Sequence, residues 1–460
     1  MPDKHAITTE ARTLFRLSLP LAGAQLAQMG TSVADAVMAG RYGSQDLAGV
    51  ALAGAMMWPT MLIVMGILQA VTPSVAQYHG ARAYRDIGEV IRQGLYIAIA
   101  GGILVALLLS SIQPVFHWMQ IDPGASDIAV QYLKATAWGI PALMVFYCLR
   151  FLADGMSFTR PAMIIIVSAL MLKIPLNYIL IFGAFGVDAM GGAGCGVAQA
   201  IIMWFQFTMI LVVVTRPRFN TTAWWHQFSL PDAQRIGELL RVGVPIAGTL
   251  FAEVGMFSAV TLLLGRLGAE TVASHNIAFN INGVAFMIPM ALGMAATIRV
   301  GFRLGESDPR GARESALLTV AGTVLVSAFS ALAIFVFRDE IVGLYTRDEA
   351  VATLGASLLM FVAFFLIMDA VQATALGALR GYKDTRVPMV MAVAAYWGAG
   401  LPVGWVLGYG IGVPAQGAFG FWIGLTIAVT GAATLLCLRL WRVSSLRANT
   451  PDTMLVDQNT

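Results

Sequence analysis

Charge is what this chain has least of. Asp, Glu, Lys and Arg make up 12% of its 460 residues, about half the ~25% of ordinary soluble domains. So few charges could not cover a soluble surface of this size. Cysteine is nearly absent too. Cys148, Cys195 and Cys437 lie in or at the edge of apolar stretches, with neither a disulfide framework nor metal-ligand spacing. The five histidines are scattered, and no two sit at ligand spacing, so neither a structural metal nor a cofactor is expected. The opening MPDKHAITTEARTLFR is polar and mixed in charge. No small-residue cleavage site follows a short apolar core, so the first helix should stay as an anchor. No HExxH, nucleophile elbow or phosphate-cradling loop occurs; an enzyme is not expected. The glycines of GGAGCG have the wrong spacing for a dinucleotide loop and suit close helix packing instead.

What fills the chain is hydrocarbon. Hydrophobic residues are 58% of it, in blocks of about 20, enough to cross ~30 Å of bilayer at 1.5 Å per residue. Twelve blocks are legible, near 13–37, 47–71, 92–112, 130–152, 162–182, 193–214, 239–262, 277–298, 316–337, 353–376, 388–408 and 417–438. The expectation is an all-α, multi-pass integral membrane protein. Lys and Arg gather after even-numbered blocks, as in Arg82, Arg85 and Arg92, or Arg299, Arg303, Arg310 and Arg313. The odd connections carry only Arg41, Arg266, Arg338 and Arg347. The positive-inside rule then puts both termini in the cytoplasm. The basic loops report topology rather than nucleic-acid binding.

The chain also repeats itself. Shifting residues 17–43 by 225 gives nine identities in 27 positions, among them Pro20/Pro245, Gly23/Gly248, Gly40/Gly265 and Arg41/Arg266. A shift of 226 later pairs Gly155, Thr159 and Arg160 with Gly381, Thr385 and Arg386. Two six-helix bundles related by an internal pseudo-two-fold repeat follow, with an axis along the membrane normal. The expected division is an N-terminal bundle over 1–214, a cytoplasmic linker acting as a tether over 215–238, and a C-terminal bundle with a short tail over 239–460. Two such bundles suit alternating access.

Three acids interrupt the blocks: Asp35, Glu253 and Asp369. A charge at the bilayer centre costs at least ~2.5–3.5 kcal/mol, so each needs a reason, either a structural ion pair or a cation or proton site. The repeat bears on the choice. Asp35 aligns with Val260 and Glu253 with Gln28, so helix packing requires an acid at neither position. A buried carboxylate that exchanges a proton for an approaching cation is the chemistry of an antiporter. Asp35, Glu253 and Asp369 are therefore the candidate coupling residues. Gln25, Gln28, Asn177, Tyr178, Asn280, Asn282 and Gln372 are candidate cavity residues, each open to the alternative of an interhelical hydrogen bond. Lys173 could snorkel or pair with an acid. The 24 methionines suit a promiscuous wall or an ordinary core.

These motifs resemble the multidrug and toxic compound extrusion (MATE) family, in its NorM-type branch, from about Leu14 to Arg442. The resemblance rests on PLAGAQLAQMGTSVADAVMAGRYG (20–43), ADGMSFTRPAM (153–163), LKIPLNYIL (172–180), GGAGCGVA (191–198), PIAGTLFAEVG (245–255), ASHNIAFN (273–280), TIRVGFRLGE (297–306) and MDAVQATALGALRGYKD (368–384). It implies a bacterial inner-membrane exporter of small cationic and amphipathic drugs, expected as a monomer, coupled to inward proton or sodium flow. The family's functional acids fall on Asp35, Glu253 and Asp369. Its Asp-Gly-Met stretch places Asp154 near the cytoplasmic end, in a turn or gating role. In sodium-coupled relatives an aromatic hydroxyl precedes the helix-10 acid by one turn, where this chain has Phe365. Sodium prefers oxygen ligands, so the expectation tilts toward protons, with Glu253 and Asp369 the candidate ligands should sodium couple. A lipid-linked flippase of the same superfamily is the rival, but it should carry a basic cavity, and the intramembrane charges identified are mostly acidic. A major-facilitator transporter would carry its basic signature after helix 2, where QYHGARAYRD stands.

Overall fold

The computed structural model describes residues 4–449, and among them the regular structure is helical throughout. The helices are α1 Lys4–Tyr42, α2 Ser44–Leu68, α3 Val71–Gly80, α4 Tyr84–Ser110, α5 Gln113–Trp118, α6 Pro123–Ala137, α7 Ile140–Gly155, α8 Arg160–Phe182 and α9 Gly192–Val214. They continue as α10 Ala233–Leu264, α11 Ala269–Gly305, α12 Pro309–Val336, α13 Arg338–Gly343, α14 Glu349–Gly381, α15 Arg386–Val393, α16 Leu401–Tyr409 and α17 Ala418–Asn449. Ten of the described spans are long and apolar enough to cross a bilayer, and α6 with α7, bent by 53°, makes an eleventh. Helix α1, with Gln25, Gln28 and Asp35 along it, is the least apolar of the long helices and completes the twelve expected.

The chain folds as two compact units. One comprises the segment ending at Ala22 together with Gly248 onward; the other is Gly23–Ala247. Their borders are again 225 residues apart, and each lies two or three residues beyond a proline inside a helix, Pro20 in α1 and Pro245 in α10. The first turns of each long helix thus pack in one unit and the remainder in the other. Leu17, Leu21 and Ala22 lie in a cluster with Ala291, Ala295 and Ile298. In the other unit a Cβ on Gly243 would stand 2.3 Å from the Ile67 carbonyl oxygen. The expected borders at 214 and 239 thus differ from those of the compact units.

Residues 215–238 make packed contacts with their own unit. Phe219 and Thr222, in a short 3-10 turn, are fully buried. The Trp224 indole donates to the Val214 carbonyl at 3.1 Å. From α4, Arg92 donates to Ser229 Oγ at 2.8 Å, Gln93 to the Leu230 carbonyl at 3.0 Å, and Tyr96 to the Ser229 carbonyl at 2.8 Å. Ser229 and Leu230 thereby meet α4, while Arg216, Asn220, His226 and Gln227 stay exposed.

The repeat is carried by packing as well as sequence. A Cβ on Gly155 would meet Val75 Cβ at 2.7 Å and the Thr72 carbonyl at 3.0 Å; one on Gly381 would meet Val300 Cβ at 2.8 Å and the Thr297 carbonyl at 3.0 Å. The left-handed residues Arg82 and Ser157 (φ 57° and 59°) recur as Ser307 and Lys383 (φ 59° and 57°). Asp122 caps α6, accepting from Ala125 N at 3.0 Å, as Asp348 caps α14, accepting from Ala350 N at 2.9 Å.

The halves differ in two places, each with a local cause. Pro141 begins α7 and breaks it from α6, because proline has no N–H to give the preceding turn and crowds it. Ile367 stands at the equivalent point, and α14 runs through unbroken. In the second half a π-helical stretch, Ala394–Gly400, interrupts the counterpart of α8. One residue is thereby inserted, and the offset grows from 226 at Arg160/Arg386 to 227 at Pro175/Pro402.

Candidate functional site

Each unit holds its own buried polar cluster. In the Gly23–Ala247 unit, Asp35 of α1 is 6% exposed. Its Oδ2 accepts from Lys173 Nζ of α8 at 2.7 Å, and its Oδ1 accepts from Asn177 Nδ2 at 2.7 Å. Lys173 also donates to Gln199 Oε1 of α9. The entry to α9 explains how Gln199 comes so close. A Cβ on Gly194 would lie 2.8 Å from the Leu180 carbonyl, and one on Gly196 would lie 2.5 Å from the Tyr132 carbonyl. Only glycine permits these approaches to α8 and α6. The GGAGCG stretch thus does serve close helix packing.

In the same unit Asp154 of α7 is 1% exposed. Arg150, one turn earlier, approaches it at 3.5 Å, but neither Asp154 oxygen has a hydrogen-bond donor among the described residues. Gln28 is half-buried, and Tyr178 is 57% exposed, its ring tilted against Phe182.

In the other unit Asp369 of α14 is 2% exposed and Gln372, one turn on, 1%. Asn282 of α11 hydrogen-bonds Asp369, and Glu253 of α10 lies within electrostatic reach of Asp369, Tyr396 and Arg380. The Gln372 amide donates to the Tyr396 hydroxyl. Three buried acceptors, Asp369 Oδ1, Asn282 Oδ1 and Gln372 Oε1, have no donor among the described residues. Helix α11 reaches α14 through a glycine crossing: a Cβ on Gly377 would stand 2.0 Å from the Gly293 carbonyl oxygen. Phe365 is 1% exposed and meets Phe257 and Trp422 edge-on, with ring centroids 6.1 and 5.9 Å apart. Asn280 stays on the exposed side of α11, accepting from the Tyr345 hydroxyl at 3.0 Å.

Two apolar helical units, each enclosing buried acids, suit a membrane transporter. The MatE family model matches residues 20–179 and 245–406, one segment in each half. The chain belongs to the MATE family. It is 42% identical over 439 residues to the multidrug resistance protein PmpM of Pseudomonas aeruginosa, covering 95% of this chain and 92% of that one. It is 41% identical over 434 residues to the multidrug resistance protein MdtK of Yersinia pseudotuberculosis, covering 94% and 95%. In fold it matches the eukaryotic MATE transporter AtDTX14 with a TM-score of 0.87 at 22% identity, covering 96% of this chain and 99% of that chain. An outward-facing multidrug resistance MATE transporter matches at 0.85 and 19%, covering 96% and 97%.

The sequence had pointed to this MATE chain's acids and, in Lys173, Asn177 and Asn282, to groups that bond them, but not to the other members of the clusters. Arg150 and Arg380 sit near helix ends, where a base reads as a snorkelling side chain. Gln199 and Tyr396 had no signal beyond being polar in an apolar run. The intramembrane charges are also less one-sided than expected: Lys173 and Arg150 each lie beside an acid, and Arg380 is within electrostatic reach of Glu253.

Proposed function

We propose that this MATE chain is a secondary active multidrug efflux transporter of a bacterial inner membrane, with both termini cytoplasmic. It exports cationic and amphipathic drugs or dyes by alternating access, in exchange for protons moving inward. Asp35, Glu253 and Asp369 are its coupling residues, and Asp154 is a gating group. One observation carries the reading: Asp369 Oδ1 lies buried and unpaired, as do the oxygens of Asn282 and Gln372. Buried acceptors without donors are costly. A proton on Asp369, or a bound cation, relieves that cost. Occupancy by one or the other, never both, is what couples two opposite fluxes. The names of relatives above 40% identity, both multidrug resistance proteins, support the substrate class.

Protons are favoured because Phe365, one turn before Asp369, supplies no oxygen to a metal ion. Sodium is the second reading, favoured by the unpaired oxygens of Asn282 and Gln372. Accumulation of a fluorescent cationic dye in cells tests the assignment. Glu253→Gln and Asp369→Asn should each abolish export at expression matched to wild type. Wild-type export by both variants would remove Glu253 and Asp369 from the coupling mechanism.

A further inference from the structure

Asp35 differs from Asp369 in being fully served by its neighbours. Lys173 holds one oxygen and Asn177 the other, both at 2.7 Å, and the side chains of Asp35 and Lys173 are 8% and 1% exposed. The pair is confined to one half of the repeat. The second half has Val260 in place of Asp35, and Ala399 or Gly400 in place of Lys173, according to which side of the π-helical insertion the offset is taken. Acid and base therefore occur together or not at all, as they should if each exists for the other.

We propose that Lys173 is a tethered cation that excludes sodium and cationic substrates from Asp35. A buried carboxylate can neutralise one monovalent cation. A second would leave an uncompensated buried charge, which a low-dielectric interior strongly disfavours. A side-chain ammonium anchored on α8 competes at an effective concentration that no dissolved ion matches. Its removal would leave a good nest for a hard cation: the two Asp35 oxygens, Gln199 Oε1, and Asn177 Oδ1, which is buried without a donor. Lys173 is thus a specificity residue that closes this unit's acid to metal ions. The inference rests on reading Asp35 as a coupling group, but its test reads binding rather than transport, so the two can fail separately.

The test is thermal unfolding of the purified full chain in detergent, titrated with sodium chloride against N-methyl-D-glucamine chloride at equal ionic strength. Wild type, Lys173→Gln and the double variant Asp35→Asn/Lys173→Gln are compared. The double variant reports any sodium held elsewhere, including by Glu253 and Asp369. Sodium should raise the Tm of Lys173→Gln by at least ~2 °C beyond the double variant, and that of wild type no more than the double variant. A Lys173→Gln response equal to the double variant's overturns the proposal. So does a wild-type response exceeding it, since sodium would then reach Asp35 despite the lysine. Should Lys173→Gln fail to fold without sodium, recovery of folded protein when it is made and purified in sodium is the predicted gain. Failure in both conditions overturns the proposal, because sodium would not have replaced the ammonium.

Discussion

Asp35 and Asp369 are both acids in apolar helices, yet their neutral variants should behave oppositely. Asp35→Asn strands the Lys173 ammonium at 1% exposure. Removing one member of a buried pair costs about 3–5 kcal/mol. The single variant should therefore unfold at distinctly lower temperature, and Asp35→Asn/Lys173→Gln should recover most of the loss. Thermal unfolding of the four members of the cycle measures this; a double variant as unstable as the single one would mean the pair is not coupled. Loss of drug export by Asp35→Asn alone is accordingly ambiguous unless folding is measured beside it. Asp369→Asn replaces an unpaired acceptor with an amide donor beside Asn282 and Gln372. It should unfold no lower than wild type while export is lost, the exchange of function for stability expected where a site carries strain. A lower Tm would show that the carboxylate serves the fold instead. The acids were legible from the cost of charge in hydrocarbon. Their surroundings were not, because nothing in LKIPLNYIL says whether Lys173 turns to lipid headgroups or to Asp35.

Among the elements, close helix crossings and terminal latches position these residues. Gly377→Ala would put a methyl 2.0 Å from the Gly293 carbonyl oxygen, forcing apart α11 and α14, the same two helices whose Asn282 and Asp369 meet about two to three turns away. Overpacking of this kind costs about 1–3 kcal/mol, so both Tm and export should fall; an unchanged Tm would mean the crossing is loose. The start of α1 is latched by Glu10, which accepts from Arg299 at 2.6 and 2.7 Å, from Arg303 at 3.0 Å and from Ser315 at 2.7 Å. Burial pushes the Glu10 carboxyl up, but these donors outweigh it and hold it at about 2, below the usual 4.5. Because the folded value is depressed, the latch is fully stabilising above pH ~4.5 and is lost as pH falls through about 2, a contribution on the order of 2–3 kcal/mol. Glu10→Gln should therefore unfold at lower temperature than wild type at pH 7, with the gap closing toward pH 2. No gap at pH 7, or a gap still undiminished at pH 3, would contradict it. The helices themselves were legible from hydrophobic length, and the repeat from its Pro, Gly and Arg landmarks. The latch was not, since Glu10 precedes the first apolar block and its arginines are almost 300 residues away. Nor was the contact of Ser229 and Leu230 with α4, since nothing in the polar run 215–238 singles them out.

At the scale of the whole molecule, duplication set the architecture and divergence set the chemistry. Matched turns, caps and glycine contacts were kept in both halves. The charges buried within the helices were not: one half has the closed Asp35–Lys173 pair, the other the open Glu253–Asp369 cluster. A chain built this way can couple an ion in its open cluster, and the ion proposed here is the proton. The measurement that tests it most directly is efflux of a fluorescent cationic dye from proteoliposomes under imposed gradients, one ion at a time. Efflux driven by a pH gradient in the absence of sodium, and lost in Asp369→Asn, is the expected result. Efflux that requires a sodium gradient and ignores the pH gradient would contradict it, and would make Asn282 and Gln372 ligands of a metal ion rather than partners of a protonated acid.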